Sequence, residues 1–102
     1  LKLDFIDLTL EPPAALAHNV DPLAIRRALD KYGMDVVGHT AYYLPLASPF
    51  ENLRRAAVEE FRRCLHAFAQ IGARWMNIHP DRHAPFHTRS FYIERNIRSL
   101  QE

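Results

Sequence analysis

The stretch IGARWMNIHPD, residues 71–81, decides how this chain folds, because it joins the end of a helix to a short strand that stops at a histidine. Gly72 is the residue type that most often ends a helix, since it adopts the left-handed conformation without strain. A strand from Arg74 to Ile78 is expected next, with successive side chains on opposite faces. The stretch therefore predicts a helix followed by a strand, with His79 directly after that strand.

A similar stretch, VVGHTAYY at residues 36–43, also places a histidine after a short apolar run. It predicts a second strand over Asp35 to Gly38, with His39 immediately after it. An earlier strand is predicted over about Leu3 to Leu10, because apolar and polar residues alternate there up to Glu11. The chain therefore contains three short strands, and two of them end in a histidine.

Helical signals separate the three strands. Asp21 and Pro22 combine a capping residue with proline at the first helical position, and Gly33 ends that helix. The segment Ser48–Glu51 matches a capping box at the start of a long helix, which is expected to run to Gly72. Its apolar residues at helical spacing are Phe50, Leu53, Ala57, Phe61, Leu65 and Phe68, and a last helix carries Ile93, Ile97 and Leu100.

Alternation of strands and helices with short connections predicts parallel strands and right-handed crossovers, with the helices outside the sheet. The fold class is therefore α/β. The carboxyl ends of parallel strands open onto one edge, where ligands bind in barrels and in open sheets. Glu11, His39 and His79 all lie on that edge. If the apolar strand faces contact the helices, the polar faces look toward the centre, as at the mouth of a barrel.

Composition limits the possible partners and the compartment. The 102 residues have a net charge of +1 without a basic stripe, so nucleic acid is not an expected partner. No membrane-spanning run is present, and the single cysteine, Cys64, suits the reducing cytoplasm. The start at Leu1 and the stop within a helical pattern suggest one segment, residues 1–102, of a longer chain. If the chain is complete, its two open sheet edges predict a homo-oligomer.

The motifs HTAYYLPLASP, IGARWMNIHPD and FIDLTLEPP, together with the long helix, resemble the second to fourth units of the xylose isomerase-like TIM barrels. That superfamily includes endonuclease IV, of AP endonuclease family 2, and sugar phosphate isomerases and epimerases. The resemblance covers nearly the whole chain and implies a partial (β/α)8 barrel made of three βα units.

The resemblance also implies a divalent metal, Zn²⁺, Mn²⁺ or Mg²⁺. In the endonuclease branch the corresponding histidines are metal ligands, which would give His39 and His79 that role. In the isomerase branch carboxylates and a histidine from later strands hold the metal, and the early histidine binds substrate. Three units cannot supply a complete site, and Asp81 stands where the endonuclease pattern has glycine.

Other residues near the strand ends have both a functional and a structural interpretation. Glu11 could accept a sugar hydroxyl or act as an acid/base group, or it could be a solvated loop residue. Tyr42 could stack on substrate or pack under its loop. Asn77 could contact substrate or orient His79. The loop residues Asp81 and His83 could contact substrate or lie on a polar surface.

The sequence thus predicts a metal-dependent isomerase or epimerase that acts on a small sugar or sugar phosphate. The metal would polarise a carbonyl or hydroxyl while carboxylates move a proton. Two alternatives stay open at this point. One is an endonuclease IV-like zinc phosphodiesterase acting on abasic DNA, and the other is a self-associating module without catalysis.

Overall fold

The computed structural model describes residues 3–82 and 85–102. The elements in chain order are β1 (Phe5–Leu10), α1 (Pro22–Tyr32), β2 (Asp35–Thr40), α2 (Glu51–Ile71), β3 (Trp75–Asn77) and α3 (Arg89–Gln101). The strands form one parallel sheet in the order β1-β2-β3. The predicted α/β architecture of parallel strands with outer helices is confirmed.

The hydrophobic core lies between one face of the sheet and the helices α1 and α2. Its buried members are Leu10, Leu29, Val36, Cys64, Ala67, Phe68 and Ile71. The opposite face carries Asp7 and Asn77, which are exposed, and Thr9 and His39, which are half-buried. The prediction that the apolar strand faces meet the helices is confirmed.

The strand boundaries differ from the prediction at both histidines. β2 runs to Thr40 rather than stopping at Gly38, because β1 continues the ladder and pairs Thr9 with His39. β3 is shorter than predicted and ends at Asn77, so His79 lies two residues beyond it. His39 is therefore fixed inside the central strand, while His79 belongs to the following segment.

Gly38 allows α2 to approach β2 closely. A Cβ atom built at this position would lie 2.8 Å from Cγ and 2.9 Å from both Cδ atoms of Phe68. These distances are shorter than ordinary van der Waals contact, so glycine is required for the ring to rest on the strand. The contact sets the spacing between the long helix and the strand that carries His39.

The two helix starts turned out differently. Asp21 caps α1 as predicted, accepting a hydrogen bond of 2.9 Å from the Ala24 amide, and Gly33 ends the helix at φ 61°. The predicted capping box of α2 is wrong, because Phe50 occupies the cap position without a side-chain bond. The Glu51 carboxylate does not reach back toward Ser48; it binds arginine side chains.

The predicted apolar stripes of α2 and α3 are only partly buried. In α2 the side chains of Phe50, Leu53 and Leu65 are exposed, whereas Ala57, Phe61 and Phe68 are buried as expected. In α3 the three apolar residues of the stripe are exposed, while polar residues face α2. Helical spacing identified the helices but did not identify which side meets the sheet.

A buried arginine connects α2 to α3. The Arg54 side chain has no exposed area, and its Nη2 lies 2.7 Å from carboxylate oxygens of both Glu51 and Glu102. Its Nη1 donates a hydrogen bond of 2.9 Å to Ser99, whose hydroxyl donates to the carbonyl of Leu46 at 2.6 Å. One guanidinium thus links α2, α3 and the loop after β2.

Acid should weaken this connection in a defined pH range. The hydrogen bond from Arg54 lowers the pKa of Glu51 from 4.5 to about 2, although partial burial acts in the opposite direction. The unfolded chain therefore binds a proton at Glu51 that the folded chain does not bind. The stabilisation by Glu51 is complete above about pH 4.5 and is lost as pH falls through about 2.

We expect the urea concentration at half-unfolding to decrease as the pH is lowered from 5 to about 2. It should decrease less steeply in Glu51→Gln, because glutamine at this position has no carboxyl group to titrate. Urea titrations at several pH values measure this difference. Glu59→Gln is the matched control, because the Glu59 carboxylate lies on the same helix in an exposed pair with Arg62. Equal acid sensitivity of the wild type, Glu51→Gln and Glu59→Gln would contradict the assignment of this effect to Glu51.

Candidate functional site

Two histidines meet at the carboxyl edge of the sheet. His39 projects from the central strand β2, and His79 follows the neighbouring strand β3. Their Nε2 atoms are 2.6 Å apart, and the rings stack with centroids 4.8 Å apart and an interplanar angle of 18°. The two residues that the family resemblance predicts to be metal ligands are therefore in direct contact.

Asp7 of β1 contacts the other side of His39. Both carboxylate oxygens of Asp7 lie 3.2 Å from Nδ1 of His39. Alternation along β1 puts Asp7 on the polar face of that strand, but no role was predicted for it. The strand register is the signal that connects them, since Thr9 pairs with His39 and Asp7 precedes Thr9 by two residues on the same face.

Tyr42 approaches the histidine pair from the loop after β2. Its ring meets the ring of His79 edge to face, with centroids 6.4 Å apart and an angle of 82°. The Tyr42 side chain is 61% exposed, so it does not pack beneath its own loop. A cavity of about 740 Å³ opens here. Its lining comprises Tyr42, His79, Pro80, Asp81, Arg82, Arg89, Tyr92, Ile93, Asn96, Ile97 and Leu100.

Asp81 forms part of the wall of that cavity and is only 3% exposed. Its carboxylate accepts a hydrogen bond of 3.1 Å from the Ala47 amide. Its backbone amide and carbonyl bind the side chain of Asn96 at 3.0 Å and 2.8 Å. Asp81 therefore fastens the segment after His79 to α3. The other loop candidate, His83, lies outside the described residues.

Glu11 and Asn77 lie close to the histidines along the chain and in the sheet. Glu11 comes directly after β1, and Asn77 is the register partner of His39 in β3. Within residues 3–82 and 85–102, neither side chain makes a hydrogen bond. Both predicted roles stay predictions, since no hydrogen bond between either side chain and the histidine pair supports them.

The donor set of the pair suits a divalent metal but does not complete a site. Neutral imidazole is a good ligand for Zn²⁺ and Mn²⁺. Among the described residues, no group of three or more histidine, cysteine, aspartate or glutamate side chains could hold a metal ion. Two nitrogens on one tetrahedral zinc would be ~3.3 Å apart. A slight separation of the rings would therefore accommodate a cation.

Cys64 does not contribute to this edge of the sheet. It belongs to the buried core cluster between the sheet and the helices, and its exposure is 2%. Burial raises the pKa of its thiol to about 11. The thiolate form that binds metals is thus disfavoured at neutral pH.

Two cationic side chains, Arg82 and Arg89, line the same cavity as His79. In the part of the chain that the structure describes, neither of them forms an ion pair. The cavity combines an apolar wall from α3 with positive charge near the histidine pair.

None of the helices among the described residues has the length and apolar composition needed to cross a membrane.

The chain is similar to a known protein family and to individual sequences. The family model described as xylose isomerase-like TIM barrel matches residues 1–102. The chain is 32% identical over 80 residues to a probable endonuclease 4 of Thermotoga petrophila and 30% identical over 80 residues to that of Thermotoga maritima. In both cases the match covers 76% of this chain and 28% of the relative.

Solved structures give the same fold. A D-tagatose 3-epimerase-like protein superposes with a TM-score of 0.83 at 19% identity, over 96% of this chain and 38% of the other. D-psicose 3-epimerase from Clostridium cellulolyticum H10, in complex with D-tagatose, superposes with a TM-score of 0.76 at 13% identity. That match covers 96% of this chain and 36% of the epimerase chain. With a family match over its whole length and this likeness in fold, the chain belongs to the xylose isomerase-like TIM barrel family.

Proposed function

We propose that this chain forms part of a divalent-metal-dependent enzyme that isomerises or epimerises a small sugar or sugar phosphate. The observation that carries the proposal is the histidine pair, His39 and His79, with Nε2 atoms 2.6 Å apart at the carboxyl edge of the sheet. Catalytic groups of TIM barrels are located at this edge. The apolar core is on the other face, so a substrate can approach the pair.

The two imidazoles would hold the cation, with the remaining ligands supplied from outside the described residues. His39 comes from the rigid central strand, while His79 is held near it by the anchored segment at Asp81. Such a cation would supply Lewis-acid polarisation of a carbonyl or hydroxyl oxygen of the sugar. Glu11, at the end of β1, would accept and return the proton that moves between adjacent carbons.

Substrate contacts follow from the cavity beside His79. Tyr42 presents an exposed ring that could stack on the sugar, and Asn77 presents an amide that could bind a hydroxyl. Arg82 and Arg89 suit the phosphate of a sugar phosphate, because guanidinium groups bind phosphate in a bidentate way. We propose that Asp81 shapes the wall of the cavity, and His83 remains a predicted substrate contact.

The likeness to sugar epimerases supports a sugar as the substrate. The two similar structures are described as a D-tagatose 3-epimerase-like protein and a D-psicose 3-epimerase with bound D-tagatose. This chain spans 28% of its curated relatives and at most 38% of those two structures, so the activity of the whole protein is part of the proposal. The cytoplasmic location predicted from the sequence remains a prediction.

Calorimetric titration with Mn²⁺ and Zn²⁺ tests the ligand assignment. We expect His39→Ala and His79→Ala each to weaken metal binding by more than about 100-fold, a larger loss than removal of an outer residue causes. His66→Ala is the matched control, since His66 is exposed on α2, away from the core. A folded wild-type chain that binds neither metal would refute the assignment, as would an equal loss in His66→Ala.

A second candidate is hydrolysis of abasic DNA by a multi-zinc site. Two observations favour it, namely the 32% identity to a probable endonuclease 4 and the two arginines that line the cavity with His79 and form no ion pair with another described residue. Metal stoichiometry distinguishes the candidates, because more than one bound zinc supports the nuclease and a single Mn²⁺ or Mg²⁺ supports the isomerase. Cleavage of an oligonucleotide with one abasic site is the direct assay.

Self-association is the third proposal, and it applies if the chain occurs without further strands. Among the described residues, β1 and β3 each pair with β2 only, so each leaves one edge open. Open edges of this kind tend to pair with another chain. Analytical ultracentrifugation measures the outcome, and a monomer with a sharp unfolding transition would contradict it.

A further inference from the structure

We infer that Asp7 is a positioning residue that fixes the tautomer of His39, so that the Nε2 lone pair of His39 points toward His79. This inference rests on the proposed metal-binding role of the two histidines. It assigns a function to a carboxylate on β1 that sequence patterns had placed on the open face without a role.

The geometry of Asp7 and His39 supports a shared hydrogen bond from one ring nitrogen to both carboxylate oxygens. Both oxygens of the Asp7 carboxylate lie 3.2 Å from the same ring nitrogen, Nδ1. The His39 side chain is 25% exposed and that of Asp7 is 47% exposed, so water competes only in part. Asp7 belongs to β1, which pairs with β2 over its whole length from Phe5 to Leu10. This backbone pairing holds the Asp7 carboxylate beside His39.

Proton counting then determines the state of His39. An ionised carboxylate only accepts hydrogen bonds, so Nδ1 of His39 must carry the proton in this contact. A neutral imidazole has one N–H, which leaves a lone pair on Nε2 of His39. The contact of 2.6 Å with Nε2 of His79 needs one donor and one acceptor, so His79 donates there when no metal is bound.

The same lone pair is what a metal ion requires. Histidine ligands commonly donate their second N–H to a carboxylate, which orients the ring and raises the basicity of the ligating nitrogen. Asp7 has that relation to His39. Asp35 differs, although it is on the same strand face four residues before His39, because its register partner is Phe5 and, among the described residues, its side chain makes no hydrogen bond or ion pair with the ring.

Nitrogen-15 NMR of the metal-free protein, at a pH where imidazole is neutral, reads the tautomer directly. We expect wild-type His39 to carry its proton on Nδ1, and Asp7→Ala to show a mixture of both tautomers. Asp7→Asn should recover part of the Nδ1–H form, because an amide oxygen can still accept the bond. Asp35→Ala is the matched control and should match the wild type.

Titration of the same four proteins with Zn²⁺ gives the functional consequence. Loss of Asp7 should weaken zinc binding by about 10- to 100-fold, while Asp35→Ala should leave it unchanged. An unchanged His39 tautomer in Asp7→Ala would overturn the inference, whatever the affinity. If Asp7 sets the tautomer but the wild type binds no metal, the proposed function fails and the positioning role of Asp7 stands.

Discussion

Replacing Arg54 by alanine should lower the free energy of unfolding by about 3–5 kcal/mol, the cost typical of breaking a buried ion pair. The Arg54 side chain is fully buried and holds Glu51, Glu102 and the hydroxyl of Ser99. Its removal leaves the Ser99 hydroxyl without this donor and a cavity between α2 and α3. Because both carboxylates reach solvent, the loss should fall in the lower part of the range.

Urea denaturation followed by circular dichroism measures the effect. Arg55→Ala is the matched control, because Arg55 is the next residue of α2, is 69% exposed and lies 3.4 Å from the same Glu51. Its loss should change stability by less than about 0.5 kcal/mol. Arg54→Lys should fall between them, since one ammonium cannot reproduce a planar guanidinium that reaches three partners. Equal stability of the two alanine variants would contradict the role of the buried arginine.

Replacing Gly38 by valine should be destabilising by about 2–3 kcal/mol, as in overpacked cores. The first added atom alone would lie 2.8–2.9 Å from three ring carbons of Phe68, so α2 must move or the ring must leave its rotamer. A displacement of α2 would also disturb His39, which follows Gly38 in β2. Thermal and urea denaturation of Gly38→Val measure the loss.

A double-mutant cycle shows whether the ring is the cause. Phe68→Ala alone should cost about 3–5 kcal/mol by leaving a cavity beside Gly38. In the double variant Gly38→Val/Phe68→Ala, the loss of stability should be smaller than the sum of the two single losses by at least about 1 kcal/mol. The valine would occupy part of the space that the ring leaves. Additive losses would show that the two positions are not coupled, contrary to the close contact.

The element order and the faces of the strands could be predicted from the sequence, because each depends on local patterns. Alternation in β1 separated polar from apolar side chains correctly, and Asp21, Pro22 and Gly33 marked α1. Each of these patterns depends only on residues within one helical turn or one strand. The order of the parallel strands then followed from the short connections and from the handedness of crossovers.

The capping of α2 and the burial of the helix surfaces could not be predicted in this way. Ser48 and Glu51 fit a capping box locally, but arginines of α3 compete for the carboxylate from about 45 residues further along the chain. No local pattern distinguishes Arg54 from the other arginines of α2. Its burial depends on how α3 packs against α2, which no local pattern of charges specifies.

The site was predicted in part. His39 and His79 were singled out at two strand ends, and the structure places them in contact, but their metal-binding role and the roles of Glu11, Asn77 and His83 are still predictions. Asp7 was missed because its importance depends on the register between β1 and β2. That register fixes which polar residue of the first strand lies beside the histidine of the second, and the sequence alone does not state it.

The buried cysteine provides a way to observe opening of the core. Cys64 is the only cysteine of the chain and belongs to α2, where its side chain is part of the buried core against the sheet, with 2% exposure and a thiol pKa raised to about 11. A thiol reagent can reach it only after α2 has separated from the sheet. Its labelling rate therefore reports the frequency of that separation. No probe has to be introduced, so the kinetics of opening can be compared directly among variants of either face of the sheet.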